Sequence, residues 1–178
     1  GIFLTRQSGR IASIWLANAA QLAILLRSPK SSHYRLLGVG FLANLAAGLC
    51  IGDRLVVAVF LSACNTMEVA LSRRILLLIN AFEPSRLLRL RELARFVLVC
   101  GIVTPALSAS AASGGMALLG AAPIRDVWLS WYAADALGLL LAVPLVSATK
   151  LSDLRKLMAW PQLAETLALL SLVVLASG

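Results

Sequence analysis

The sequence predicts an all-α protein, a polytopic transmembrane helical bundle, and three observations predict it. The 178 residues are 60% hydrophobic and only 13% charged, with a mean hydropathy of +0.90. Several apolar runs approach or exceed the length that crosses a bilayer. The basic residues fall in short loops between those runs, where topology signals lie. The net charge of +8 therefore reads as membrane orientation, and no nucleic-acid partner is expected.

Gly1 to Leu4 reads as the tail of a helix begun upstream, followed by a polar loop with Arg6 and Arg10. Ile11 to Leu26 is the first full apolar segment. At 1.5 Å per residue it reaches about 24 Å, so it crosses a thinned region or is shielded by protein. The loop 27–35 is basic and contains Pro29. Tyr34 to Ile51 is the second span, in which Gly38, Gly40, Ala43, Ala47 and Gly48 form the small-residue pattern of tight helix packing. Gly52, Asp53 and Arg54 make a short turn. Leu55 to Ser72 is the third span, closed by Arg73 and Arg74, and Ile75 to Phe82 carries the helix on along the interface.

Pro84 breaks that helix. Ser85 to Arg95 (SRLLRLRELAR) is an arginine-rich amphipathic piece that belongs on the membrane surface. Phe96 to Leu119 is the fourth span, interrupted by Pro105 and by Gly114 and Gly115, and Asp126 to Lys150 is the fifth. Leu151 to Trp160 is a second basic surface segment, and Pro161 opens a sixth span at its first turn, where proline is tolerated. On this reading residues 1–178 are a single transmembrane domain, a fragment of six spans with at least one more on each side.

Loop charge sets the expected orientation. Loop 27–35 holds Arg27, Lys30 and Arg35; loop 73–95 holds six arginines against Glu83 and Glu92; loop 150–160 holds Lys150, Arg155 and Lys156 against Asp153. The alternate loops, Asp53-Arg54 and Arg125-Asp126, are neutral. The positive-inside rule places the three basic loops in the cytoplasm, with Arg6 and Arg10 counting mildly against it. Arg86, Arg89, Arg91, Arg95, Lys150, Arg155 and Lys156 are the expected contacts to anionic lipid head groups, at about 1 kcal/mol per basic residue near the surface, with contact to a cytoplasmic output domain as the equal alternative.

Polar residues inside the spans are the functional signal. Trp15, Asn18 and Gln21 recur at three-residue steps in the first span, Asn44 lies in the second, and Ser62, Asn65, Glu68 and Ser72 form a stripe along the third. The fourth carries Thr104, Ser108 and Ser113. In the fifth, Trp131, Asp135 and Gly138 share one face. A charged residue at a helix centre costs about 3 kcal/mol even on the lenient insertion scale, so Glu68 and Asp135 mark a functional site by default. Glu68 is expected nearer the cytoplasmic end than Asp135, so contact between them does not follow from the sequence. Trp15, Asn18, Gln21, Asn44, Asn65, Glu68, Ser108, Trp131 and Asp135 are together the candidate ligand-binding residues. For the amides, plain interhelical hydrogen bonding is the simpler role, worth about 1 kcal/mol apiece. Cys50, Cys64 and Cys100 have no CxxC spacing and His33 is the only histidine, so neither a disulfide framework nor a metal site is expected. The sequence identifies no cofactor.

The pieces IWLANAAQLAILL, GFLANLAAGL, SACNTMEVAL, TPALSA and WLSWYAADALGLLLAVPL resemble the first family of bacterial membrane-associated sensor domains (MASE, type 1), over about Ile14 to Lys150. The Asn-x-x-Glu of Asn65 and Glu68 and the Trp-x-x-x-Asp-x-x-Gly of Trp131, Asp135 and Gly138, in that order, carry the likeness. One departure lies in the first span: the family usually has a proline-rich run and a glycine after the asparagine, where this chain reads Trp15-Leu-Ala-Asn18-Ala. The resemblance implies a helical input domain of the bacterial inner membrane, fused on the same chain to a cytoplasmic histidine kinase, diguanylate cyclase or cyclic-di-GMP phosphodiesterase. It also implies that some members sense through another membrane protein.

The leading expectation is thus a sensory domain without chemistry of its own. It takes a ligand or membrane partner between helices, works as a homodimer and signals to an output domain on the same chain. The alternative is a small transporter or channel, a class in which intramembrane acids and broken helices also occur. No inverted repeat relates the two halves. A membrane enzyme is third, for want of a nucleophile with a base or a metal cluster.

Overall fold

A computed structural model describes residues 16–79, 89–120 and 123–148. They form helices α1 (Leu16–Arg27), α2 (His33–Cys50), α3 (Leu55–Leu78), α4 (Leu90–Leu118) and α5 (Ile124–Ala148), with a 3-10 turn at Lys30–Ser32. No strand occurs among the described residues. The tail Gly1–Leu4, Trp15, Arg86, the surface segment 150–160 and the sixth span lie outside them.

Each boundary has a local cause. Pro29 disfavours helical geometry at Ser28, and Ser28 Oγ donates to Ile24 O at 2.7 Å, satisfying one of the last carbonyls of α1. At the end of α2, Gly52 adopts φ +87°, a left-handed conformation open to glycine. The Asp53 N–H then reaches Gly48 O and the Gly52 N–H reaches Leu49 O, both at 3.0 Å, closing a Schellman cap. The hairpin is tight: a Cβ on Gly48 would lie 3.1 Å from Ala58 Cβ. Gly120, at φ +62°, ends α4 in the same left-handed region.

Helix α4 contains a π-helical turn, Leu98–Val103, directly before Thr104 and Pro105. Pro105 has no N–H to give to Gly101 O, four residues back, and its ring crowds that carbonyl. Tyr132 Oη on α5 donates to Gly101 O at 2.9 Å instead. The Thr104 N–H and Oγ1 both donate to Val99 O, the side-chain bond at 3.0 Å, and Ser72 Oγ on α3 donates to Thr104 Oγ1 at 2.7 Å. The wide turn is thus closed by side chains of two neighbouring helices, a common setting for π-bulges at functional sites.

Helix α3 runs unbroken through Arg73 and Arg74 to Leu78, in keeping with the expectation that the helix carries on from Ile75. One helix differs from the sequence reading. The described part of the basic amphipathic piece does not lie apart from the fourth span: from Leu90 onward it is the first turns of α4, and Phe96 is buried. No proline lies between Leu90 and Thr104 to separate them.

Helices α1, α3, α4 and α5 pack as a ring, each against the next, and α2 flanks it against α3 and α1. Glu68 and Asp135 thus come from opposite corners. Inside are two apolar clusters. One gathers Val57, Leu61, Cys64, Ala112, Met116 and Val127; the other gathers Leu22, Leu25, Val69, Leu76, Phe96 and Leu139 with smaller neighbours. Outside, Val39, Leu42, Ile102, Leu107, Leu137 and Leu141 are exposed. Three helices are long and apolar enough to cross a membrane, Leu55–Leu78, Leu90–Leu118 and Ile124–Val146, while Leu16–Arg27 is apolar but shorter. An apolar exterior around a polar-centred interior suits a membrane-embedded domain.

Candidate functional site

Between the two clusters lies a buried polar layer. The spacing of Ser62, Asn65, Glu68 and Ser72 turns all four inward from α3, and all are buried. Thr104 and Ser108 enter from α4, Asp135 from α5 and Asn18 from α1, also buried. The acids are the most enclosed titratable groups in it, Glu68 at 0% and Asp135 at 3% exposure.

The amides form one directional chain. Asn18 Nδ2 donates to Asn65 Oδ1 and to Glu68 Oε2, both at 2.9 Å. Asn65 Nδ2 donates to Asn44 Oδ1 at 3.3 Å, and Asn44 Nδ2 to Gly40 O at 3.0 Å. Asn18 spends both side-chain hydrogens in this way, tying α1 to α3 in two places. Trp131 Nε1 donates to Ser108 Oγ at 3.0 Å across α5 and α4, and the indole also comes within side-chain hydrogen-bonding range of Asp135.

Glu68 and Asp135 meet. Their carboxyl groups are within side-chain hydrogen-bonding range of each other. Glu68 Oε1 and Asp135 Oδ2 are buried without any other donor, a costly arrangement in an interior of low polarity. Contact between them did not follow from the sequence; in the fold, Glu68 lies near the middle of the 24 residues of α3 and Asp135 near the middle of the 25 of α5.

Seven of the nine candidate ligand residues belong to this layer or its edge: Asn18, Asn44, Asn65, Glu68, Ser108, Trp131 and Asp135. Gln21 does not. Its Nε2 donates to Leu36 O at 3.0 Å, and its side chain fills the space over Gly40, joining α1 to α2 away from the acids. Trp15 lies outside the described residues. Tyr132, which holds the π-turn, escaped the sequence reading; a tyrosine one turn ahead of Asp135 on a helix facing Pro105 was the available signal. Trp128 stacks on Tyr132 with ring centroids 5.0 Å apart and donates to Ser110 Oγ at 3.0 Å.

Basic side chains gather at one end of the bundle. Arg27 Nη1 donates to Val146 O at 3.0 Å near the end of α5, and Arg73 Nη2 lies 3.2 Å from His33 Nε2, itself 2.9 Å from Ser28 O. That single ring nitrogen serves one neighbour at a time, donating to Ser28 or accepting from Arg73. Of the expected lipid contacts, Arg89 and Arg91 are exposed. Arg95 is half-buried and turned back onto Glu92 at 3.2 Å and Ile79 O at 3.4 Å. Arg86, Lys150, Arg155 and Lys156 lie outside the described residues.

The described residues form an apolar helical bundle around two buried acids, and its apolar helices fit a membrane-embedded domain. The chain belongs to the MASE1 family, whose model matches residues 1–178. MASE1 is a membrane sensor domain, a sensory input unit without catalysis of its own. No curated protein and no solved structure matches the chain.

Proposed function

We propose that this domain receives its stimulus in the polar layer and passes it, by a change in helix packing, to a cytoplasmic output on the same chain. The observation that carries the reading is the Glu68–Asp135 pair, each acid with a buried oxygen lacking a donor, on opposite corners of the ring. Side chains from α1, α3, α4 and α5 all end in that layer, so a ligand or a membrane partner that alters it alters the whole ring. A ligand shifts such an equilibrium only by its differential affinity for the two packings, and a site shared by four helices provides that difference.

In this proposal the full domain has six spans or more in the bacterial inner membrane, with the basic loops in the cytoplasm and lipid head groups beside Arg89 and Arg91. The output is a diguanylate cyclase, a phosphodiesterase or a histidine kinase, working as a homodimer. Asp135→Asn and Glu68→Gln, introduced into the full-length chain, test it. The expected result is normal membrane expression with output fixed at one level; normal expression with an unchanged response would remove the pair from signalling. The π-turn at Pro105 beside intramembrane acids also favours a second reading, a transporter. Asp135-dependent flux in proteoliposomes would support that one.

A further inference from the structure

The two acids leave an unfinished account of charge. Glu68 Oε2 accepts from Asn18, but Glu68 Oε1 and Asp135 Oδ2 have no donor although the two carboxyl groups lie within hydrogen-bonding range. Two acceptors cannot bond to one another without a hydrogen between them. Left as two anions in an interior of low polarity they would repel strongly.

What faces the pair narrows the answer. From α3 comes Cys64 and from α4 comes Cys100, both thiols. Asn18 comes from α1, its two side-chain hydrogens already given to Asn65 and Glu68. From α5, Trp131 donates to Ser108 of α4, and Tyr132 gives its hydroxyl to Gly101 O. From α2, Asn44 reaches only as far as Asn65. Among the described residues no lysine, arginine or histidine acts on either acid; Arg27, His33 and Arg73 are grouped at the basic end. No described basic side chain compensates the pair, and the smallest positive charge that fits between packed carboxyl groups is a proton.

The geometry points to Glu68 and Asp135 as a proton-binding site, a carboxyl pair that holds one proton between Glu68 Oε1 and Asp135 Oδ2 and takes that proton as the input of the domain. Binding moves a proton from water onto the pair and changes its charge from −2 to −1, with no bond to any other group made or broken. With the proton in place, a charge-assisted O–H···O bond joins opposite corners of the ring. Without it, the two anions press α3 and α5 apart, and both helices bear directly on the π-turn through Ser72 and Tyr132. The inference rests on the input-domain reading, to which it adds the identity of the stimulus.

Infrared spectroscopy of the chain in lipid nanodiscs tests it, reading the C=O stretch of a protonated carboxyl group and its shift in D2O while pH is varied. The wild-type chain is expected to show this band at neutral pH and to lose it in alkali. Both E68Q and D135N are expected to lose it at neutral pH, because the new amide N–H takes the place of the shared proton and leaves the remaining acid ionised. A wild-type spectrum without the band at any pH would overturn the proposal, and this arm needs no variant to fold. So would a band undiminished in either well-folded variant, which would assign the proton to one acid, or a band displaced by exchanging potassium for sodium at fixed pH, which would make the site one for a metal cation. Failure of the parent reading shows separately, as an output of the full-length chain that ignores E68Q while the spectra behave as expected.

Discussion

Asn18 is the residue on which most of the polar layer turns, since it alone donates to both Asn65 and Glu68. Asn18→Ala would strip a donor from two buried acceptors at once, and is expected to destabilise the bundle by about 1–2 kcal/mol. Reversible unfolding in mixed micelles measures this, and a loss indistinguishable from zero would mean that water replaces the amide. The sequence marked Asn18 as polar and inward but could not give it this weight. It set Asn18 and Gln21 on one face, yet a three-residue step turns about 60° around the helix, enough to send Gln21 to Leu36 of α2 instead. The meeting of the acids was hidden for a different reason. A single sequence does not say which helices pack against α3, so nothing in it brings Glu68 of α3 and Asp135 of α5 to one place.

At the scale of elements, α4 is a helix that its own sequence breaks and its neighbours repair. Proline at position 105 was legible as an interruption. The form of the repair was not, because it depends on Ser72 and Tyr132 from other helices. The repair makes a coupled prediction. Tyr132→Phe should cost about 0.5–1.5 kcal/mol in the wild-type background, the usual worth of one hydrogen bond. In a Pro105→Ala background the restored N–H serves Gly101 O itself, so the same change should cost close to nothing. A double-mutant cycle on unfolding free energy reads the difference; equal losses in both backgrounds would mean that the tyrosine acts by packing alone. The α3–α4 contact adds a steric case. Gly115 leaves the space that the Phe60 ring fills, so that a Cβ there would run into the ring. Gly115→Ala should destabilise by about 1–3 kcal/mol, with recovery on adding Phe60→Ala; no recovery would point to helix backbone as the source.

For the whole molecule, the arrangement inverts that of a water-soluble bundle. Amides and carboxyls are inside, and leucines such as Leu137 and Leu141 are outside, 48% and 58% exposed. The fold class followed from composition and run length because those record the solvent that the exterior meets. The ring order of helices did not, since each span carries polar groups and nothing in a single sequence says which groups meet. If the exterior of α5 faces hydrocarbon, Leu137→Lys near its middle should lower insertion of that helix by about 2.5–3.5 kcal/mol in a translocon-insertion assay. Full insertion of the lysine variant would show that this face lies against protein or water.

The central claim is that opposite corners of the ring communicate through one acid pair, and a double-mutant cycle on signalling output addresses it most directly. Output would be measured for the full-length chain carrying Glu68→Gln, Asp135→Asn, both and neither, at matched membrane expression. The account predicts that either single change fixes the output and that the second adds nothing further, as expected of two residues forming one site. Independent, additive effects of the two changes, or an output that neither change touches, would contradict it.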